Sequence, residues 1–138
     1  MIKYCVVAFA ACAIAGAALA ATLTPADIVA RHNAAVAKSD VDAMMADYAD
    51  DAIVLLEGKT VQGKTAIRTL FDRMFPKPVA GAPATGAAAM TVTRKWSEGD
   101  VGFYTWERDA IHGTDEFVVR NGKIEIQSVF IGAGPAAK

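Results

Sequence analysis

Residues 58–65 read GKTVQGKT, which spells G-x-x-x-x-G-K-[ST]. In a nucleotide-binding loop that spacing turns backbone N–H groups toward the phosphates and brings a lysine to the outer ones. The stretch follows an apolar run, AIVLLE, and precedes the helix-like TAIRTLF, so its context also invites the reading. A second candidate for chemistry is His32, which falls on the apolar face of a helical pattern. An imidazole there can take or give a proton near neutral pH, or simply sit in the core bonded to a carbonyl or carboxylate. His112 lies in IHGTD, a turn-like segment that points to solvent. No helical or turn spacing gathers the two histidines and the carboxylates as metal ligands, so no metal site is expected.

The elements that must position these groups run helices first, strands later. Thr24-Pro25-Ala26-Asp27 opens a helix: Thr24 caps, Pro25 suits the first turn, and Asp27 suits its positive end. Ile28, His32, Ala35 and Val36 share one face of it. Asp40 caps a second helix, DVDAMMADY, whose apolar set is Val41, Met44, Met45 and Tyr48. A short strand is expected from Ala52 to Leu56, and a third helix from Thr65 to Phe75 burying Ile67, Leu70, Phe71 and Met74. The proline- and glycine-containing stretch from Pro76 to Ala88 reads as a loop. Strands follow at Ala89 to Trp96, Val101 to Arg108, Thr114 to Val119 and Lys123 to Ile131, with Asn121-Gly122 marking the last hairpin. Residues 132–138 read as a frayed tail. Grouped helices and hairpin-linked strands make one α+β domain with helices on one face of an antiparallel sheet.

That organisation argues against the nucleotide reading. A phosphate loop belongs at the carboxyl edge of a parallel sheet built from strand-helix-strand units, and no crossover helices separate the later strands here. No second strand ends in an aspartate placed for magnesium, since Asp109 and Asp115 fall in the wrong pattern. Two β-branched residues, Thr60 and Val61, occupy the loop interior where an anion nest favours glycine. No nucleotide or other cofactor is expected.

The first 20 residues, MIKYCVVAFAACAIAGAALA, carry one early charge, an apolar run, and a closing Ala18-Leu19-Ala20. That is the anatomy of a secretory signal peptide cleaved after Ala20, with a retained anchor as the rival reading. The expected location is the periplasm or the exterior, with no membrane contact after cleavage. Both cysteines, Cys5 and Cys12, fall inside this segment. The mature chain, residues 21–138, then has no disulfide, thiol nucleophile or thiolate metal site. Removing Lys3 leaves 13 basic against 15 acidic residues, with no basic stripe for nucleic acid.

Three stretches resemble a known family. They are Asp40-Val41-Asp42-Ala43 leading into Tyr48-Ala49-Asp50-Asp51-Ala52-Ile53-Val54, then Val61-Gln62-Gly63-Lys64-Thr65-Ala66-Ile67-Arg68, and finally Glu116-Phe117-Val118-Val119-Arg120-Asn121-Gly122-Lys123-Ile124. Together they are similar to the nuclear-transport-factor-2-like superfamily, and within it to the SnoaL-like and ketosteroid-isomerase-like branch. The resemblance covers nearly all of residues 21–138. It implies a cone: a strongly curved antiparallel sheet wrapped around three N-terminal helices, with an apolar pocket of a few hundred Å³. It also implies homodimers formed through the outer face of the sheet.

On that resemblance His32 faces the pocket, where the isomerases have a tyrosine. Asp115 falls at their acid position, and burial there raises its pKa so that it donates a hydrogen bond to a substrate oxygen. The isomerases' catalytic carboxylate on the first strand falls at Leu56, with Glu57 one residue later, on the opposite strand face unless a bulge re-aims it. Ketosteroid isomerase activity is therefore not transferred. The expected ligand-contacting set is Tyr48, Leu56, Trp96, Tyr104, Trp106, Phe117 and Gln127. Three functions stay open: an exported binder of a small apolar molecule, a cofactor-independent isomerase, dehydratase or cyclase using His32 and Asp115 on a polyketide- or terpenoid-like substrate, and a dimeric interaction or assembly module.

Overall fold

A computed structural model describes residues 23–77, 80–81 and 89–134. The signal-like segment with Cys5 and Cys12, much of the stretch from Pro76 to Ala88, and residues 135–138 lie outside the described residues. Helix α1, Pro25–Ala37, starts where Thr24 and Asp27 bond reciprocally: Asp27 N–H donates to Thr24 Oγ1 at 3.2 Å, and Thr24 N–H donates to Asp27 Oδ2 at 2.9 Å. It buries Ile28, Val29, His32, Ala35 and Val36, the face its periodicity marks. Helix α2, Val41–Ala46, is capped by Asp40, which accepts from Ala43 N–H at 3.0 Å.

Tyr48 does not extend α2 as expected; it begins strand β1, Tyr48–Leu56. The cause is tertiary. Lys123 Nζ donates to the Ala46 carbonyl at 2.6 Å and Ile124 N–H to the Asp47 carbonyl at 2.8 Å, drawing the chain out of the helix. At the same corner the fully buried Asp47 carboxylate is held by an ion pair with Arg31, without a well-aligned hydrogen bond.

The GKTVQGKT stretch is a hairpin. Glu57 and Gly58, at φ +48° and +74°, form a two-residue turn between β1 and β2, Lys59–Gln62. The motif's interior N–H groups therefore belong to a β-ladder. Gly63, at φ +86°, caps helix α3, Lys64–Met74, and donates to the Ala52 carbonyl at 2.8 Å. Lys64 reaches back to the Tyr48 carbonyl at 3.2 Å and to Asp50 at 3.6 Å.

Four further strands complete the sheet: β3, Thr91–Glu98; β4, Val101–Arg108; β5, Ile111–Arg120; and β6, Lys123–Ala133. β5 starts three residues earlier than expected and takes in His112, because Asp109 at φ +53° turns the chain tightly after Arg108. β6 runs two residues past Ile131. The order is β2-β1-β6-β5-β4-β3, curved and unclosed, and every neighbouring pair is antiparallel except β1 with β6. That parallel pair joins the first and last strands, with the rest of the domain as its connection. α1 packs across β3, β4 and β5, and α3 against β1 and β2. Gly102 permits the close approach of α1 to β4: a Cβ there would stand 2.5 Å from Val29 Cγ2.

Candidate functional site

Alternation along β4 turns Gly102, Tyr104, Trp106 and Arg108 toward the helices. Register then builds a polar group inside the cone. Tyr104 lies opposite Asp115 on β5, and Phe117 lies opposite Gln127 on β6. Trp106 Nε1–H donates to Asp115 Oδ2 at 2.7 Å, and Gln127 Nε2–H donates to Asp115 Oδ1 at 2.7 Å. Tyr48 O–H in turn donates to Gln127 Oε1. Trp106 needs Gly113 beside it, since a Cβ at that position would fall 2.3 Å from Trp106 Cζ2.

Asp115 is 4% exposed. Burial pushes its pKa up from 3.8 to about 6, and the donors Gln127, Trp106 and Tyr104 hold it from rising further. An indole nitrogen only donates, so Asp115 receives hydrogen bonds rather than giving them. The raised pKa is the direction expected for a buried acid at this position, and the two donors favour its ionised form. Burial first, and the Asp115 charge second, keep Tyr48 and Tyr104 protonated far above the usual tyrosine range.

His32 enters the same space from α1. It is 1% exposed, and burial lowers its pKa from 6.5 to about 4, so the ring is neutral. Phe117 meets it edge-on at 5.1 Å and Tyr48 at 5.8 Å between ring centroids. Its Nδ1 has no hydrogen-bond partner among the described residues. A buried, unsatisfied imidazole nitrogen is costly, and a ligand atom would relieve it.

A cavity of about 90 Å³ borders His32, Leu56, Tyr104, Trp106, Asp115 and Gln127, with the rest of its wall mainly apolar. It is smaller than the few hundred Å³ expected, because Met74, Met90, Leu70 and Ile131 crowd its sides. Tyr48 and Phe117 are fully buried but do not border it; they stand behind His32 and Gln127. Trp96 is a correction. It is 39% exposed and stacks on Phe103 at 4.8 Å, with Arg94 over its ring at 5.0 Å. Trp96 pairs directly with Phe103, whose face is opposite that of Tyr104 and Trp106, so it points away from the cavity.

Glu57 sits exposed in its turn and Leu56 borders the cavity, so β1 brings no carboxylate inside. His112 is exposed on β5, and among the described residues no three His, Cys, Asp or Glu gather as a metal site. Arg108 also borders the cavity; it is absent from the expected set, although the alternation Tyr104, Trp106, Arg108 carries the signal.

Comparison with known proteins agrees with this architecture. Among solved structures, an NTF-2 like protein of unknown function from Burkholderia xenovorans is 22% identical with TM-score 0.63, covering 81% of this chain and 85% of that one. A putative ketosteroid isomerase from Kribbella flavida is 12% identical with TM-score 0.64, covering 83% and 82%. A putative polyketide cyclase from Sinorhizobium meliloti is 23% identical with TM-score 0.57, covering 75% and 93%. At these identities the likeness speaks for the fold alone. No curated protein matches the sequence. The model of the SnoaL-like domain matches residues 29–126, and the chain belongs to that family.

Proposed function

We propose that this domain binds a small molecule in the cone and exchanges a proton with it through Asp115, as an isomerase or lyase that needs no cofactor. The observation that carries the reading is a nearly inaccessible carboxylate, its pKa pushed up to about 6 by burial, in a cavity shared with a neutral histidine whose Nδ1 has no partner among the described residues. A base works best when its pKa lies near the working pH, and burial is how a carboxylate reaches that range. Trp106 and Gln127 fix the carboxylate's orientation, while His32 is free to bond a ligand oxygen as donor or acceptor. The putative ketosteroid isomerase and polyketide cyclase among the structural neighbours are named for chemistry of this kind.

The test is native mass spectrometry of protein purified from its host to identify a retained ligand, followed by incubation of that ligand and enzyme in D₂O. Protein-dependent deuterium incorporation that disappears in Asp115→Asn supports the reading. A ligand that binds without exchange removes catalysis and leaves a binding domain. That second reading is favoured by Leu56, an apolar side chain on the cavity wall at the position where the resemblance implies a carboxylate in the isomerases.

Two further parts belong to the same proposal. Residues 1–20 are removed on export, so the intact mass of the exported protein corresponds to a chain starting at Ala21; a full-length mass rejects this. Two copies pair through the outer face of β1 and β6, where Leu55 is 40% and Phe130 60% exposed. Apolar side chains on an uncovered sheet face are the usual material of such a contact.

A further inference from the structure

We infer that Arg108 anchors a carboxylate on the ligand, so that the substrates of this site are short-chain carboxylic acids held with their acid group toward the turn that joins β4 and β5. The inference rests on the cavity being a ligand site, as proposed above.

Three observations meet at this residue. Arg108 is half-buried and borders the same cavity as Asp115 and His32. Among the described residues it makes no ion pair and no side-chain hydrogen bond; other unpaired cations such as Arg73 and Lys95 are exposed to water, whereas the half-buried Lys64 and Arg68 are paired with carboxylates. Residues 78–88 contain no Asp or Glu that could serve it. Its neighbours Glu107 and Asp109 are exposed, the first on the opposite face of β4 and the second in the turn. A guanidinium presents five N–H donors in a planar fork, and a carboxylate satisfies two of them at once.

Placement along the strand gives the ligand its direction. The inward face of β4 runs from Gly102, under α1, through Tyr104 and Trp106 to Arg108 at the last register pair with Ile111. Asp115 lies opposite Tyr104. At ~3.3 Å per residue, Arg108 and Tyr104 are about 13 Å apart along the backbone. One end of the cavity is therefore negative and the other positive. Gln127, Trp106 and Tyr104, not Arg108, are the groups that hold down the Asp115 pKa, so the cation is not committed to that carboxylate. An anionic ligand is repelled by Asp115 and drawn to Arg108, which leaves its carbon chain against Asp115, His32 and the apolar wall. The crowding by Met74, Met90 and Ile131 suits a short chain.

Crotonate and crotonamide test this, since they match in shape and differ in charge. Each is titrated into ¹⁵N-labelled protein while the indole N–H signals of the two tryptophans are followed. Trp106 donates to Asp115 inside the cavity and Trp96 lies outside it, so the second signal is an internal control. Crotonate is expected to move the Trp106 signal and to bind about tenfold more tightly than crotonamide, the scale of a charge-assisted hydrogen bond. Arg108→Gln should weaken crotonate about tenfold and leave crotonamide within about twofold, with Arg108→Lys restoring part of the difference. Equal affinities of the two probes in the unaltered protein overturn the role of Arg108 while leaving the ligand site intact. Failure of both probes to move the Trp106 signal overturns the ligand site and this inference with it.

Discussion

Asp115→Asn removes the charge from the cavity while keeping nearly the same shape, and the hydrogen-bond network can absorb it. The new amide oxygen accepts from Trp106. Gln127 turned over then presents its oxygen to the new amide and its NH₂ to the Tyr48 hydroxyl, which accepts. What changes is the pH dependence of stability. The folded pKa of Asp115 is raised from 3.8 to about 6, so the folded protein holds this proton more tightly than the unfolded chain does. The ionised group therefore weighs against folding above pH 6, and that burden lifts as pH falls toward 3.8. At full titration it amounts to about 3 kcal/mol, and between about pH 7.5 and about pH 4.5 the relief is about 2 kcal/mol. The variant has no such relief. Urea unfolding across this window should show its stability falling by about 2 kcal/mol relative to the unaltered protein. A stability difference that stays flat with pH would refute the buried carboxylate.

Three other outcomes follow from the same geometry. His32→Gln should have the opposite effect: burial lowers the His32 pKa from 6.5 to about 4, so the native protein loses stability as pH falls through that range. Relative to it the variant gains about 2.5 kcal/mol between about pH 7.5 and about pH 4.5, and parallel unfolding curves would contradict a neutral buried ring. Gly113→Ala should displace Trp106, because the added Cβ would lie 2.3 Å from Cζ2 and 2.8 Å from the Phe130 carbonyl oxygen. A loss of about 1–3 kcal/mol is expected, together with a moved Trp106 indole signal; an unchanged signal would contradict the packing. Phe130→Asp should convert a dimer to a monomer in sedimentation velocity, and identical sedimentation of the two proteins would remove the outer face as the contact.

Local patterns carried the parts of the fold that local physics decides. The cap at Thr24, the buried face of α1 and the Asn121-Gly122 hairpin each depend on residues a few positions apart, and each is visible in the sequence. The misread parts depend on distant partners. Tyr48 continues the periodicity of α2, yet Lys123 and Ile124, far along the chain, take it into a strand. The parallel pairing of β1 with β6 leaves no local mark at all. Strand β2 was hidden inside a phosphate-loop spelling, because Gly58 and Gly63 serve equally well as turn and helix-start residues. A register shift on β3 between Val92 and Arg94 leaves Trp96 facing outward with Phe103. Of the candidate site, His32 and Asp115 share one cavity, and Arg108 was missed although its alternation with Trp106 was legible. The cavity's small size depends on how Met74 and Met90 pack, which composition does not encode.

The proton affinity of Asp115 is the quantity on which the proposed chemistry turns. ¹³C NMR of its side-chain carboxyl, followed from about pH 3 to about pH 8 and assigned with Asp115→Asn, measures it directly. A midpoint at about 6 is expected from the burial of this carboxylate. A midpoint at the ordinary aspartate value of about 3.9 would place it in water and contradict its role as a buried base.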